Sequence, residues 1–379
     1  MMTLAELAEK ARSTVGYRPD PKWRRSSDHF LRFDGFSKKG WFERYWPETR
    51  IQLVEEAQRR GQAWSPLVRI HLPKYGTTDM RPIDVPTILD QARLYPLQDW
   101  LSEYVETQLC KRAVAFRRGR KMHSVVTSVG AIISQRGYHW GAVVDVQDFF
   151  GSLSWKRLDR LIATLPGDRG GQEALQRLVR VPVVDQSTRA LVGRQGRGIP
   201  QGLSVSPTLA NLYLAEWDRQ VNQAVSKHRA IVVRYCDDLL VLAQTQAGAE
   251  AAVKIVLDRL PQVGLKAKPG PKEVVDLTSA PLRWLKVDFS VPGIDVGDDI
   301  IQWKVSSYHH KVDRGLFTLT RLDQSIAGLE AYYQQILPTP RASEVSGWLR
   351  EGTRDLCTRL SASLEADAIA HGARRWCVT

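Results

Sequence analysis

Two short apolar runs, at residues 231–233 and 239–242, flank a Tyr-Cys-Asp-Asp tetrad in the middle of the chain. Apolar runs of this length, separated by a few turn-forming residues, are typical of a β-hairpin. Asp tolerates bend conformations and hydrogen-bonds its own backbone, so Asp237 and Asp238 are compatible with ordinary turn residues. The pattern therefore predicts a hairpin that carries two adjacent carboxylates at its turn.

A further apolar run, at residues 141–146, contains the single charged residue Asp145. A charge inside a buried strand is costly unless it is paired, so Asp145 either reaches solvent at the strand end or serves a purpose. A carboxylate from this strand and the pair from the hairpin could together hold two divalent metal ions about 3.5–4 Å apart, the geometry that assists phosphoryl transfer. Mg²⁺ prefers such oxygen ligands. The three acids therefore predict nucleotidyl transfer, with Asp145, Asp237 and Asp238 as the catalytic residues.

Apolar residues at helical spacing predict amphipathic helices before and after these strands. The stripes lie at residues 97–104, 209–221, 253–260, 322–336 and 345–356. Pro96 suits the first turn of the first helix, and Ser206 with Pro207 is typical of a cap followed by a first helical residue. The order strand, helix, hairpin, helix predicts an antiparallel sheet backed by helices, which is an α+β fold.

The composition favours a globular protein that binds a polyanion. With 379 residues, of which 43% are hydrophobic, the chain is long enough to bury a large core. Its formal net charge of +13 favours nucleic acid as the partner, through contacts to phosphates. A basic surface that merely keeps the protein soluble is the alternative.

Cysteine usage and the absence of targeting signals predict the compartment. The four cysteines form no Cys-x-x-Cys pair, so neither a zinc knuckle nor a disulfide framework is expected. No apolar stretch is long enough to cross a bilayer, and residues 1–10 lack the pattern of a secretory signal. We therefore expect a cytoplasmic protein without a membrane partner.

Seven short motifs occur in one order along most of the chain. They lie at residues 81–87, 116–120, 145–150, 198–207, 235–238, 264–272 and 282–287. In this order they resemble the motifs of reverse transcriptases of the bacterial lineage that includes group II intron-encoded enzymes. The resemblance implies a right-hand polymerase with fingers, an antiparallel-sheet palm and a helical thumb. One stretch departs from the pattern, because it has Lys268 where the family has Asn and one extra residue before Lys272.

The resemblance also implies a division into domains. Fingers are expected at residues 51–140, a palm at 141–300 with part of 156–195 returning to the fingers, and a thumb at 301–379. The first 50 residues hold many aromatic side chains among charged ones, which argues against a disordered tail. This extension is expected either to bind RNA or to pack against the fingers.

Metal-binding roles follow from the resemblance by position. Asp145 and Asp237 would be the principal ligands of two Mg²⁺ ions, or of Mn²⁺, with Asp238 as a weaker ligand and the backbone carbonyl of Val146 as a further one. One metal ion would activate the primer 3′-hydroxyl, and the other would hold the triphosphate as pyrophosphate leaves. The expected dNTP-binding residues are Lys74, Arg81, Phe149, Phe150, Gln201 and Lys272.

Nucleotide and nucleic-acid contacts are implied in the same way. Phe150 lies where the family carries an aromatic gate against the 2′-hydroxyl of a ribonucleotide, and one of Phe149 and Phe150 is expected to be ordinary core. Gln201 would lie beside the nascent base pair, while Arg81 and Lys74 would clasp the triphosphate. Cations beside aromatic side chains suit a nucleic-acid surface. The expected nucleic-acid-binding residues are Arg117, Arg118, Arg120, Lys121, Gly202, Tyr235, Trp284 and Lys286.

The resemblance implies an RNA-directed DNA polymerase. No His-Asn-His nuclease pattern or retron-type Val-Thr-Gly signature is visible, and the chain ends soon after a thumb-sized segment. We therefore expect a stand-alone reverse transcriptase of the kind associated with defence against phage, which copies a noncoding RNA into cDNA from dNTPs. Three alternatives stay open: a maturase-like RNA-binding protein, an RNA-binding scaffold with an inactive palm, and template-independent DNA synthesis. The oligomeric state is open as well.

Overall fold

The computed structural model describes residues 64–73, 79–167, 169–313 and 317–362. The predicted N-terminal extension, residues 1–50, and the predicted nucleotide-binding residue Lys74 lie outside the described residues. None of the helices in the described ranges is long and apolar enough to cross a membrane.

Two compact units make up the chain. Within the described ranges, the larger unit comprises the residues up to 120 and those of 140–274, and the smaller unit comprises residues 121–139 and those from 275 onward. The strands described in the larger unit are Leu67–Pro73, Met80–Val85, Trp140–Asp145, Val183–Asp185, Ala230–Tyr235 and Asp238–Ala243. Its described helices are Ile88–Gln108, Phe149–Ser152, Trp155–Ala163, Arg169–Val179, Ser206–Ser226 and Gln246–Arg259, and a 3₁₀ turn spans Pro261–Val263.

An antiparallel sheet, here called the central sheet, forms the middle of the larger unit. The strand Asp238–Ala243 pairs with Ala230–Tyr235 on one side and with Trp140–Asp145 on the other. The strands are rich in Val, Leu and Ala and largely buried, and the helices Ser206–Ser226 and Gln246–Arg259 pack against them. Burial of this apolar surface is the main force that holds the sheet and helices together. The predicted hairpin and the predicted order strand, helix, hairpin, helix are therefore confirmed.

A second sheet in the larger unit joins segments that are far apart in the sequence. The strand Leu67–Pro73 pairs antiparallel with Met80–Val85 and parallel with Val183–Asp185. The last of these strands lies within residues 156–195, the segment that was expected to return to the fingers. Two strands of this sheet thus precede Trp140–Asp145 in the sequence, and the third strand follows it.

The helix Ile88–Gln108 begins earlier than the apolar stripe predicted. The side chain of Thr87 accepts a hydrogen bond from the backbone N–H of Asp90 and so caps the helix. Pro96, expected in the first turn, instead lies well inside the helix. The apolar residues follow helical spacing only after Pro96, so the sequence pattern did not predict the first turns of the helix. Ser206 is likewise the first helical residue rather than the cap of its helix.

The smaller unit is built from helices and a short antiparallel sheet. Its described helices include Met122–Arg136, Asp298–Asp313, Leu319–Ile336 and Thr339–Gly352, and residues 354–362 are helical as well. Its described strands are Val275–Asp276, Leu282–Trp284, Val287–Phe289 and Ile294–Asp295, of which the last three form the sheet. The hairpin turn at Leu285 and Lys286 has positive φ at both residues, as tight hairpins require.

The two compact units divide the chain differently from the expected fingers, palm and thumb, whose boundaries stay a prediction. Residues 121–139 were expected in the fingers and residues 275–300 in the palm, but both segments belong to the smaller unit. The helix Met122–Arg136 buries an apolar face and packs on the helix Leu319–Ile336. Sequence periodicity shows which face of a helix is buried, whereas the partner of that face is set by long-range packing.

A buried ionic network anchors the turn of the central hairpin. Arg234, only 1% exposed, donates from Nε and Nη2 to the two carboxylate oxygens of Asp218, at 2.8 and 2.6 Å. Its Nη1 donates to Oδ1 of Asn211 at 3.1 Å and to the carbonyl of Cys236 at 3.3 Å. Burial opposes the charge of Arg234, but the charge and hydrogen bonds of Asp218 outweigh it and raise the pKa of the guanidinium. The network thus links the helix Ser206–Ser226 to the hairpin turn.

Replacing Asp218 by Ala should lower the free energy of unfolding by about 3–5 kcal/mol, because Arg234 would remain buried without its counter-ion. Denaturant unfolding of the purified variant would measure the change. Glu216→Ala is the matched control, since Glu216 lies on the same helix and pairs with Arg219 at the surface, where ion pairs contribute about 1 kcal/mol or less. A loss for Asp218→Ala no larger than that of the control would contradict the anchoring role.

Candidate active site

The three acidic residues lie at one end of the central sheet. Asp145 is the last residue of its strand and faces Asp238, the first residue of the neighbouring strand, in antiparallel register. Asp237 lies in the two-residue turn before Asp238, and its carbonyl accepts a hydrogen bond from the N–H of Val146 at 3.1 Å. The other turn residue, Cys236, has a φ of +61°, which is uncommon for a residue with a side chain. Backbone pairing thus brings together the three acids that the sequence singled out.

A lysine that was assigned no role contacts this group directly. The segment at Ala267 forms an antiparallel bridge with Val146, and the N–H of Lys268 donates to the carbonyl of Asp145 at 2.8 Å. The ammonium Nζ of Lys268 lies 2.5 Å from Oδ2 of Asp145. This hydrogen bond is the main cause of a raised pKa of Lys268. The signal in the sequence was the replacement of the family's Asn by Lys at this position.

The three acids carry more negative charge than the neighbouring Lys268 neutralises. Burial, followed by the negative charges of Asp237 and Asp145, raises the pKa of Asp238 to about 6, and Lys268 only partly opposes this. Oδ1 of Asp145 is buried and has no hydrogen-bond partner in the described part of the chain. A cation with more than one positive charge would relieve both conditions.

The donor set fits a divalent cation, although the side chains are not gathered around one point. Among the described residues, no group of three or more His, Cys, Asp or Glu side chains forms a closed metal-binding arrangement. One oxygen of Asp145 is instead bonded to Lys268. Carboxylate oxygens are nevertheless the ligands that Mg²⁺ prefers, and the free oxygen of Asp145 is a vacant acceptor.

The two phenylalanines after the first carboxylate differ in environment. Phe149 is buried, and its ring packs edge-on against Phe150 with 5.3 Å between the centroids. Phe150 is half-buried, and its carbonyl accepts a hydrogen bond from the N–H of Ile199 at 2.9 Å. Phe149 is therefore the core residue of the pair, which leaves Phe150 as the candidate gate.

A buried acid positions the segment around Gln201. The N–H of Asp84 donates to the carbonyl of Gln201 at 2.6 Å, and the N–H of Gln201 donates to Oδ2 of Asp84 at 2.9 Å. Asp84 is fully buried and also accepts two hydrogen bonds from Arg69. The sequence reasoning missed Asp84, although a charged residue within the apolar end of the strand Met80–Val85 was a signal. Arg81, on the same strand, has an exposed side chain.

Gly202 has a steric reason to be glycine. Its φ of +115° is unfavourable for other residues, and a Cβ there would lie 2.9 Å from Cγ2 of Ile83 and 3.2 Å from the carbonyl oxygen of Asp84. This close approach to the strand explains Gly202 without a nucleic acid. Lys272, predicted to act near the pyrophosphate, donates from Nζ to the carbonyl of Lys268 at 3.0 Å. It therefore lies on the segment that carries Lys268.

Not all of the predicted basic residues face solvent. Arg117 is largely buried and donates to Glu106 and to the carbonyls of Cys110 and Ala113, so its role is to hold its own segment together. Charge in the sequence gave no sign of this internal partner. Arg118 is exposed and pairs with Asp99, 2.7 Å away.

An exposed aromatic side chain lies beside the tetrad. The ring of Phe116 is 53% exposed and lies 6.2 Å from the ring of Tyr235, which is half-buried. Arg120 donates to the carbonyl of Lys111 at 3.3 Å. The structure thus places Tyr235 next to the carboxylates and next to an aromatic surface that can stack on a base.

The remaining predicted nucleic-acid residues belong to the smaller unit. Trp284 is only 2% exposed and packs near Phe289, so the expectation that its indole contacts nucleic acid is not supported. Aromaticity in the sequence did not distinguish a core residue from a binding residue. Nζ of Lys286 lies 3.2 Å from the centroid of the Trp303 ring, a cation–π contact, and burial lowers the pKa of Lys286. Lys121 precedes the helix Met122–Arg136.

Two curated relatives match part of the chain. The group II intron-encoded protein LtrA of Lactococcus lactis subsp. cremoris is 24% identical over 195 residues, which is 51% of this chain and 30% of LtrA. Protein YkfC of Escherichia coli (strain K12) is 21% identical over 161 residues, which is 42% of this chain and 41% of YkfC. The chain thus spans less than half the length of either relative.

Solved structures and a family model complete the comparison. Telomerase from Candida albicans, in complex with the TWJ fragment of telomeric RNA, superposes with a TM-score of 0.54 at 15% identity, over 87% of this chain and 60% of that one. Apo telomerase from Candida tropicalis gives a TM-score of 0.50 at 11% identity, over 86% and 67%. These likenesses show an α+β polymerase fold. The family model for reverse transcriptase (RNA-dependent DNA polymerase) matches residues 72–285, more than half of the chain, so the chain belongs to the reverse transcriptase family.

Proposed function

We propose that this protein is an RNA-directed DNA polymerase in which Asp145, Asp237 and Asp238 hold two divalent metal ions. One observation carries the proposal: Asp145 and the adjacent pair Asp237 and Asp238, from two segments far apart in the sequence, lie at one end of a buried antiparallel sheet. The vacant oxygen of Asp145 and the raised pKa of Asp238 support it, because both reflect negative charge that lacks a counter-ion. Ordinary turn residues would not require a third acid opposite them.

Each part of the site has a distinct task in this proposal. Bound divalent ions, Mg²⁺ or Mn²⁺, would stabilise charge on the attacking and leaving oxygens during nucleotidyl transfer. Asp145 and Asp237 would hold these ions, and Asp238 and the carbonyl of Val146 would be further ligands. Little covalent chemistry is asked of the protein, so precise positioning by the central sheet carries most of the catalysis.

The nucleotide would bind between the carboxylates and the segment at Gln201. The half-buried ring of Phe150 follows the strand of Asp145 closely and is suited to exclude a 2′-hydroxyl, which makes dNTP the preferred substrate. Gln201 is held through its backbone by the buried Asp84, so its side chain starts from a fixed backbone position and would lie beside the base pair. Arg81 is exposed and suited to bind the triphosphate in a bidentate manner.

A finer proposal concerns the biological role. We propose that the template is a noncoding RNA, that the product is cDNA used in antiviral defence, and that the protein acts in the cytoplasm. The motif resemblance and the net charge of +13 support an RNA partner. Sequencing the RNA and DNA that copurify with the protein from its native host would identify the template.

A second candidate function is binding to a group II intron RNA in the manner of a maturase. The similarity to a group II intron-encoded protein favours it. Bound intron RNA without newly made complementary DNA in the same copurification would support this candidate over the first.

Replacing Asp237 or Asp145 by Ala should lower DNA synthesis on an RNA template with a DNA primer by about 100-fold or more, because several kcal/mol of charge stabilisation would be lost. Primer extension with dNTPs measures the rate, and circular dichroism checks that the variants are folded. Asp258→Asn is the control, since Asp258 is an exposed acid of the same unit. Undiminished synthesis by either active-site variant would refute the proposed mechanism.

Phe150→Ala should raise the use of rNTPs relative to dNTPs by about tenfold or more, because a lost steric contact is worth roughly 1–3 kcal/mol of discrimination. Single-nucleotide incorporation with matched rNTP and dNTP gives the ratio. Phe150→Tyr keeps the bulk of the ring and should keep the ratio. If Ala and Tyr at this position behave alike, the gate lies elsewhere.

Asp238→Asn should stabilise the metal-free protein at neutral pH. The folded-state pKa of Asp238 is raised from 3.8 to about 6, so the folded protein takes up a proton between about pH 4 and 6 that the unfolded chain does not. The wild-type protein therefore gains stability from this group as pH falls through that window, and lacks it above pH 6. Thermal unfolding with a chelator should show the variant's advantage in Tm at pH 8, shrinking towards pH 4. An advantage that is independent of pH would contradict the assignment.

A further inference from the structure

We propose that Lys268 is an internal counter-ion of Asp145 that a divalent metal ion must displace, so that metal binding is coupled to movement of the Lys268 side chain. The inference rests on the proposed function and concerns the regulation of that site. It assigns a role to a residue that the motif pattern left without one.

The backbone keeps Lys268 beside the carboxylates. The N–H of Lys268 donates to the carbonyl of Asp145 at 2.8 Å, and the N–H of Gln147 donates to the carbonyl of Lys266 at 2.8 Å. Between these two hydrogen bonds, Ala267 forms the bridge to Val146. The Cα of Lys268 is therefore fixed next to the last residue of a central strand, whatever its side chain does.

The ammonium group occupies an oxygen that a metal ion would need. Nζ of Lys268 lies 2.5 Å from Oδ2 of Asp145 and is also attracted by the charges of Asp237 and Asp238. A carboxylate oxygen that accepts this charge-assisted hydrogen bond is a weaker metal ligand. A nearby ammonium also repels a divalent cation. The contact therefore competes with metal binding in two ways.

The side chain has room to leave. Lys268 is 52% exposed, so its flexible four-carbon chain can turn into water while the backbone bonds stay intact. The contact holds one oxygen of Asp145 while the other is buried without a partner in the described residues. Exchange of Lys268 for a divalent ion would free the first oxygen and satisfy the second. Metal affinity in this protein is thus set partly by how readily Lys268 departs.

The test measures Mn²⁺ binding to the full chain by isothermal titration calorimetry, without nucleotide or nucleic acid, at one pH and ionic strength. Lys268→Asn and Lys268→Gln both remove the charge, and Gln keeps much of the length. We expect both to bind Mn²⁺ more tightly than the wild type by up to about fivefold, since a partly exposed ion pair contributes up to roughly 1 kcal/mol. Lys266→Asn is the matched control, because it removes the same charge from an exposed side chain two residues away.

Each outcome decides between the inference and the proposed function. Equal Mn²⁺ affinity in the wild type and both Lys268 variants overturns the counter-ion role and leaves the polymerase proposal intact. Equal tightening in Lys266→Asn shows an effect of net charge alone and also overturns the inference. Loss of tight binding when Asp145→Ala is added to Lys268→Asn locates the ion at the carboxylates. Absence of Mn²⁺ binding in every variant refutes the metal site itself, and the inference falls with it.

Discussion

Mutual repulsion among Asp145, Asp237 and Asp238 is the constraint around which the larger unit is built. Antiparallel register fixes the backbones of all three at one end of the central sheet, where burial and neighbouring charge raise the pKa of Asp238 to about 6. The sheet tolerates this because its strands are otherwise almost fully buried and apolar, and that burial supplies far more stability than one charged cluster removes. The unfavourable charges are thus held in place by packing rather than by their own contacts.

Two cations near the central hairpin are held in different ways. Arg234 is buried and bonded to both oxygens of Asp218, so it stays in place and fixes the turn through the carbonyl of Cys236. Lys268 is half-exposed and reaches Asp145 through a flexible side chain. Arg234 can fix the backbone of the turn without binding an oxygen of the three acids. Lys268 instead neutralises part of the charge of Asp145, and that charge is restored when its side chain moves away. This difference follows from burial, because separating a buried guanidinium from its carboxylate partner costs a large amount of free energy.

The sequence was informative where local patterns decide structure. Apolar runs around the tetrad predicted the hairpin, and Asp145 within a third run predicted the carboxylate cluster, since strand register then brings the acids together. The sequence was less informative about which distant residue a side chain contacts and about whether that side chain is buried. Arg117 has the positive charge expected of a residue that contacts nucleic acid, but it forms an ion pair with Glu106. Trp284 has an aromatic ring that could stack on a base, but it is buried in the core. No periodicity reports such pairings, because they depend on which segments meet after folding.

The likeness to telomerase structures at 15% identity or less is understandable in the same terms. A shared fold requires a shared backbone register, and many apolar sequences can form the same antiparallel pairs. The packing requires a particular residue type where a charged group is buried or where two backbone segments lie very close together. At Gly202 a side chain would collide with Ile83, and at Asp84 one carboxylate holds both Arg69 and the backbone of Gln201. Asp84 joins the second sheet to the segment that would meet the nucleotide. The backbone position of Gln201 is therefore fixed by a buried acid on a different sheet, which the sequence near Gln201 could not reveal.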